Sequence, residues 1–180
     1  MRKSTFAALA LMGSVALVGA AVTPAMAATT DTTIATVAVT GGVLTMVAPE
    51  TAALTAIVSS SAPQTASAEL TGVQVIDDRA SIAIWTATAT LSAFVPTNGS
   101  TTVIPLTTAT YVPDAAVVTV SPTTVVTPSS VTDLTDPETV QVSAGGTSSN
   151  TATWGAKVEV TVPALALADI YTATLTHSVS

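Results

Sequence analysis

The sequence predicts an all-β fold: an antiparallel β-sandwich, in a single domain behind a cleaved leader. Three observations carry this. Thr, Val, Ala and Ser dominate, charged residues are only 8% of the chain, and helix-forming runs of Glu, Lys, Leu and Arg are missing. β-branched side chains favour the pleated, half-buried setting of a strand. Period-2 alternation recurs, most clearly in "IWTATATLSAF", Ile84 to Phe94. There Trp85, Ala87, Ala89, Leu91 and Ala93 fall on one side, and Thr86, Thr88, Thr90 and Ser92 on the other. Gly, Pro, Asn and Asp punctuate the runs. Thr/Pro/Ser-rich disorder is the alternative, and the alternation argues against it.

In chain order, residues 1–27 read as a secretory signal peptide. Arg2 and Lys3 give a positive start, Phe6 to Val22 is apolar or small, and Pro24 precedes a small-x-small site, Ala25-Met26-Ala27. A membrane anchor is the competing reading. The Ala- and Gly-rich run is short for a span and leads directly into polar Thr and Asp. Residues 28–180 are then the mature domain, with no further apolar span.

Ile34–Thr40 reads as a strand, Gly41-Gly42 as a tight turn, and Val43–Val47 as a second strand stopped by Pro49. Leu70–Ile76 is a third, followed by a turn at Asp77-Asp78-Arg79. Ser81–Val95 is the long strand, ended by Pro96 and Asn98-Gly99. Weaker strands fall at Thr101–Leu106 and Ala115–Ser121. Residues 122–150 read as loop with a short strand at Val140–Ser143. Trp154–Val162 alternates again, "VPALALAD" (residues 162–169) connects with room for one helical turn, and Tyr171–Val179 is the last strand.

Charge narrows the function classes. Two of the four basic residues lie in the leader, leaving Arg79 and Lys157 against eleven acids, a formal charge of −9. Nucleic acid is a poor partner for such a chain, because phosphate binding needs cations. An anionic membrane or wall polymer is repelled at long range. The chain has no cysteine, which removes thiol nucleophiles and thiolate metal sites. A single histidine and the absence of Gly-x-Ser-x-Gly leave no triad signal. Glycosidase chemistry needs opposed acids in a cleft, whereas the acids here fall in turns and loops. No catalytic residue, metal ligand or cofactor is assigned, and the expectation is a protein that is not an enzyme.

Three pieces of the chain resemble a known family. They are "VAVTGGVLTMVAP", "LTGVQVIDDRASIAIWTATATLSAF" and "WGAKVEVTVPALALADIYTATLTHSVS". Together and in this order they look like the WxL-domain surface proteins of Gram-positive bacteria, in a divergent, actinobacterial-type branch. The matching positions are Gly41, Gly42 and Leu44 in a Gly-Gly turn before a Leu strand. Val75, Asp77, Arg79 and Trp85 match a turn running into a Trp strand. Tyr171, Ala173, Thr174, Leu175 and Thr176 match the terminal strand. The first Trp motif here is Trp85-Thr86-Ala87, without the family's Leu, and in the second His177 and Val179 stand where the family has Trp and Leu. The resemblance implies secretion and non-covalent retention at the cell wall or cell surface. It further implies peptidoglycan or another wall polymer as ligand, and sister surface proteins as partners.

Trp85 and Trp154 are the candidate ligand-binding residues. Either is a sugar-stacking platform or a core filler. Core is preferred for Trp85, which supplies volume that Ala and Val lack. Trp154, beside Gly155 at the end of a polar loop, is the aromatic most open to solvent. His177 falls on the inward side with Tyr171, Ala173 and Leu175, as a hydrogen-bonded core residue or as a ligand or pH sensor. Asp77, Asp78 and Arg79 form an ion-paired turn or a cation site, the pair being favoured because no ring of spaced acids surrounds it. Asp133, Asp136 and Glu138 read as a solvated acidic loop.

Overall fold

Small and β-branched residues alternate with Thr and Ser along most of this chain, and each alternating run that finds a partner becomes a strand. The computed structural model describes residues 32–99, 103–105, 109–119, 124–144, 146 and 149–180. The leader lies outside these. The chain divides into two units, residues 1–38 and 39–180. Residues 32–38 of the first hold no strand or helix and are exposed.

The second unit is all-β, with antiparallel pairing throughout. Its strands are β1 (Leu44–Val47), β2 (Gln64–Asp77), β3 (Thr86–Leu91), β4 (Val95–Pro96), β5 (Ala109–Pro113) and β6 (Val117–Thr119). They continue with β7 (Val125–Pro128), β8 (Glu138–Ala144), β9 (Asn150–Val162), β10 (Tyr171–Thr172) and β11 (Leu175–Val179). One sheet runs β1-β2-β9-β5, with β6 continuing β5's side of β9. The other runs β11-β3-β8-β7, and β10 pairs with β4 in a small ribbon. No helix among the described residues is long and apolar enough to cross a membrane.

The core lies between the two larger sheets. Val73, Val75, Ala152, Trp154, Ala156 and Val160 face Trp85, Ala87, Ala89, Leu91 and Val140 across it. Alanines let the sheets approach, and the rings of Trp85, Tyr111 and Trp154 fill the remaining volume. Two bulges adjust the register. Between Leu70 and Val73 the long β2–β9 ladder slips by one residue. Gly72 sits there at φ 78°, which a Cβ disfavours. In β8 the shift lies opposite Ala87 and Thr88, so Val140 and Gln141 both turn inward. The Gln141 amide then donates from Nε2 to the Asp114 carbonyl at 2.8 Å.

Several expectations need correction. Ile34–Thr40 is no strand: residues 32–40 take no regular structure. Gly41-Gly42 is therefore not a hairpin turn. It leads into β1 and packs on the 78–79 turn, where a Cβ on Gly41 would overlap the Arg79 carbonyl oxygen. The Gly42 N–H donates to the Asp78 carbonyl at 2.7 Å. The third strand begins at Gln64 rather than Leu70, and the long strand shortens to Thr86–Leu91. Of Thr101–Leu106, the described part contributes only an Ile104–Phe94 bridge, and residues 101, 102 and 106 lie outside the description. Ala115–Ser121 reduces to β6 in its described part, and the expected loop 122–150 holds both β7 and the seven-residue β8. β5 was not expected. The connection 163–170 has turns and no helix, with Leu165 at φ 58°. The terminal strand breaks at Ala173–Thr174, its halves joining different sheets.

Candidate functional site

Both indoles are withdrawn from solvent, Trp85 being 1% and Trp154 3% exposed. Stacking on a sugar needs an open ring face, and neither ring offers one. Burial decides between the two alternatives left open for Trp154, in favour of core. β9 alternates strictly, and residue 154 falls on its inward side. Trp85 is locked through its backbone: its N–H donates to Ser143 Oγ at 2.7 Å, and Ser143 N–H donates to its carbonyl at 2.9 Å.

Trp154, Tyr111 and His177 form a chain of polar atoms through the core. Trp154 Nε1 lies 3.3 Å from Tyr111 Oη, which lies 3.1 Å from His177 Nε2. An indole nitrogen only donates, so the Tyr111 oxygen accepts there. Toward His177 the direction follows the tautomer: with the imidazole proton on Nδ1, Nε2 accepts from the Tyr111 hydroxyl. The two rings meet edge to face, with centroids 5.5 Å apart. Burial lowers the His177 pKa and pushes the Tyr111 hydroxyl up to about 12. A protonated His177 would aim a second donor at Tyr111, which already accepts one.

The pH consequence has a definite sign. His177 is the single histidine, and its folded pKa lies below its ordinary value of 6.5. The unfolded chain therefore takes up this proton first as pH falls, and stability declines from about pH 6.5 until the folded value is passed. Melts between pH 8 and pH 5 are expected to show this slope in the parent and to lose it in His177→Phe. An unchanged slope in the variant would place the titration elsewhere.

At the turn after β2, Asp77 is buried and receives Arg79 twice, Nε to Oδ1 at 2.9 Å and Nη2 to Oδ2 at 3.0 Å. The Arg79 N–H adds a third bond to Oδ1 at 3.1 Å. The guanidinium beside Asp77 holds its carboxyl below the ordinary value. Asp133 is exposed and accepts from the N–H and hydroxyl of Thr135, which lowers its pKa also. Among the described residues no group of three or more His, Asp or Glu side chains is placed to hold a metal ion.

Sequence reasoning missed a concave feature beside β2. An irregular strap, residues 48–63, runs from β1 to β2 beside the outer edge of β2, with Thr55 N–H donating to the Ser67 carbonyl at 2.8 Å. Two adjoining cavities open along it and share Leu54, Phe94 and Tyr171. The first, about 380 Å³, has Ile57, Val160 and Ala166 in its walls and Ser59, Ser60 and Gln64 among its polar groups. Its carboxylate, Asp169, is engaged by the N–H groups of Asn98 and Ile170 and by the Asn98 amide. The second, about 350 Å³, lies between residues 49–54 and residues 171–177, with His177 in its wall. Of the residues singled out in the sequence, Tyr171, Ala173, Thr174, Leu175 and His177 line these cavities; Trp85, Trp154, Gly41, Gly42, Asp77 and Arg79 do not.

The fold and these cavities define an all-β sandwich with a mostly apolar, strap-bounded cleft. Comparison with protein-family models, with curated proteins and with solved structures finds no match for the chain.

Proposed function

We propose that this chain is a secreted, non-catalytic surface protein that associates non-covalently with the cell envelope. Its ligand is peptidoglycan or another wall polymer. The observation that carries the reading is the first cavity, where serine hydroxyls and an amide stand beside apolar walls and the half-buried ring of Tyr171. Such a lining suits a neutral glycan or short peptide held by hydrogen bonds and ring contact. The resemblance to WxL-domain proteins supports the same reading. Tyr171 takes over the aromatic contact once assigned to the tryptophans.

A mature charge of −9 gives no long-range attraction to an anionic wall, so the holding contacts are short-range. Salt then screens repulsion within about 10 Å at 0.1 M and leaves those contacts intact. In co-sedimentation with purified walls, the bound fraction is expected to stay level or rise with NaCl. Tyr171→Ala is expected to lower it at temperatures well below the variant's own melt, which falls somewhat because the ring also packs on the core. Stripping by NaCl, or release by EDTA alone, would establish ionic bridging instead. Sedimentation that needs added secreted proteins would make a sister protein the direct partner, and cleavage of the polymer would make the chain an enzyme.

A further inference from the structure

The second cavity lies beside a strand edge, and the chain carries a segment suited to fill it. β11 is the last strand of its sheet. Thr86 and Ser180 exchange backbone hydrogen bonds, and Ser92 N–H donates to Thr174. Bonded pairs alternate along an antiparallel ladder. Thr176 and Ser178 therefore face β3, while the backbone N–H and C=O groups of Leu175 and His177 point away from it. They point to the side of the 350 Å³ cavity, whose floor includes Ala68, Leu70 and Val158. An edge beside an apolar trough is the setting in which an extended segment adds as a further strand.

Natural sheets guard such edges with charge or proline. β11 has neither: Leu175–Val179 is "LTHSV". The segment 34–40 is equally unguarded. It reads "IATVAVT", and no charged residue occurs from Thr32 to Val47. Its apolar side chains stand open to solvent, Ile34 90%, Val37 88% and Val39 85% exposed. An apolar, β-patterned segment this exposed gains by being covered, and an open strand edge can cover it.

We infer that residues 34–40 of one copy add as a strand to the β11 edge of a second copy, with Ala35, Val37 and Val39 directed into the trough. Seven extended residues span about 23 Å, enough for the five-residue edge. The segment and β11 carry no charge, and the cavity's single carboxylate, Glu50, lies on the facing wall, so salt strengthens the contact by screening the repulsion between two acidic chains. Reciprocal exchange closes a two-fold dimer, and one-way exchange gives a chain of copies. The inference does not rest on wall binding.

Light scattering across a concentration series in 0.5 M NaCl (a value of order set by a Debye length well under 10 Å) tests it on the secreted protein. The parent is expected to self-associate. Val37→Lys is expected to weaken association by about tenfold or more while melting like the parent, since residue 37 touches no core. A peptide of residues 32–41 is expected to bind the variant and slow amide exchange at Leu175 and His177. The same peptide with Val37→Pro is expected to do neither. A parent that stays monomeric, association unaffected by Val37→Lys, or protection at β7 rather than β11 would each overturn the inference. Exchange protection of these amides in a monomer would also overturn it, because the segment would then fold onto its own chain.

Discussion

Trp85→Ala is expected to cost about 3–5 kcal/mol and to leave the domain unfolded or loosened. A domain's whole stability is about 5–15 kcal/mol, so this one change removes a large share of it. The side chain is among the largest that are fully buried, and its neighbours across the core are largely alanine and valine. Ala87, Ala89, Ala109, Ala152 and Ala156 have no longer side chain to swing into the void. The loss therefore keeps both its transfer and its cavity components. Its Nε1 has no hydrogen-bond partner among the described residues. Trp85→Phe gives up that stranded donor along with some volume, so its cost is expected to be smaller, about 1–2 kcal/mol. Near-UV circular dichroism and denaturant melts of the two variants decide. A Trp85→Ala protein that melts like the parent yet fails to sediment with walls would make the indole a ligand contact after all.

The alternation that marks Trp85 as core was readable because a strand shows its two faces in sequence with period 2. The same rule located β1, most of β9 and the inward side of β11. It failed where pairing, not pattern, decides. Ile34–Thr40 alternates as well as β1 does, but among the described residues it pairs with no strand. β5 was missed although Tyr111 lies at the centre of the core. "ATYVP" is short and ends in proline, and it becomes a strand by pairing with Val158 and its neighbours on β9. β8 was read too short because its bulge turns Val140 and Gln141 to the same side and breaks the period. The cleft was illegible for a related reason. Strap 48–63 has no regular pattern, and its place is set by contacts with residues far along the chain, such as Ser59 Oγ donating to the Ala166 carbonyl at 2.7 Å. His177 was readable as an inward residue. Its partner Tyr111, 66 residues away in sequence, was not.

The turn at Asp77 gives the second large effect. Asp77→Ala is expected to destabilise the protein by about 2–3 kcal/mol, the range for hydrogen bonds to a charged group. Asp77 is 4% exposed, and its carboxylate takes three donors from Arg79. The Arg79 side chain, however, is 27% exposed. Water screens it, so the loss falls short of the 3–5 kcal/mol typical of breaking a wholly buried pair. The consequences reach beyond the pair. Arg79 Nη2 also donates to the carbonyls of Ala83 and Ile84, at 3.4 and 3.3 Å, just before Trp85. On the other side, the turn exchanges backbone bonds with Gly42 and Val43 at the start of β1. Three strands therefore depend on one carboxylate. Asp77→Asn keeps one acceptor and loses the charge, and its cost is expected to be about half that of Asp77→Ala. Acid separates this account from a purely steric one. The folded pKa is lowered from 3.8, so the stabilisation is complete above that value and fades as pH falls through the folded one. Melts of parent and Asp77→Asn are expected to converge there. Curves that stay parallel into acid would show that the carboxylate charge contributes nothing. A rise in parent melting temperature with added Ca²⁺, absent in Asp77→Asn, would make the turn a cation site instead of an ion pair.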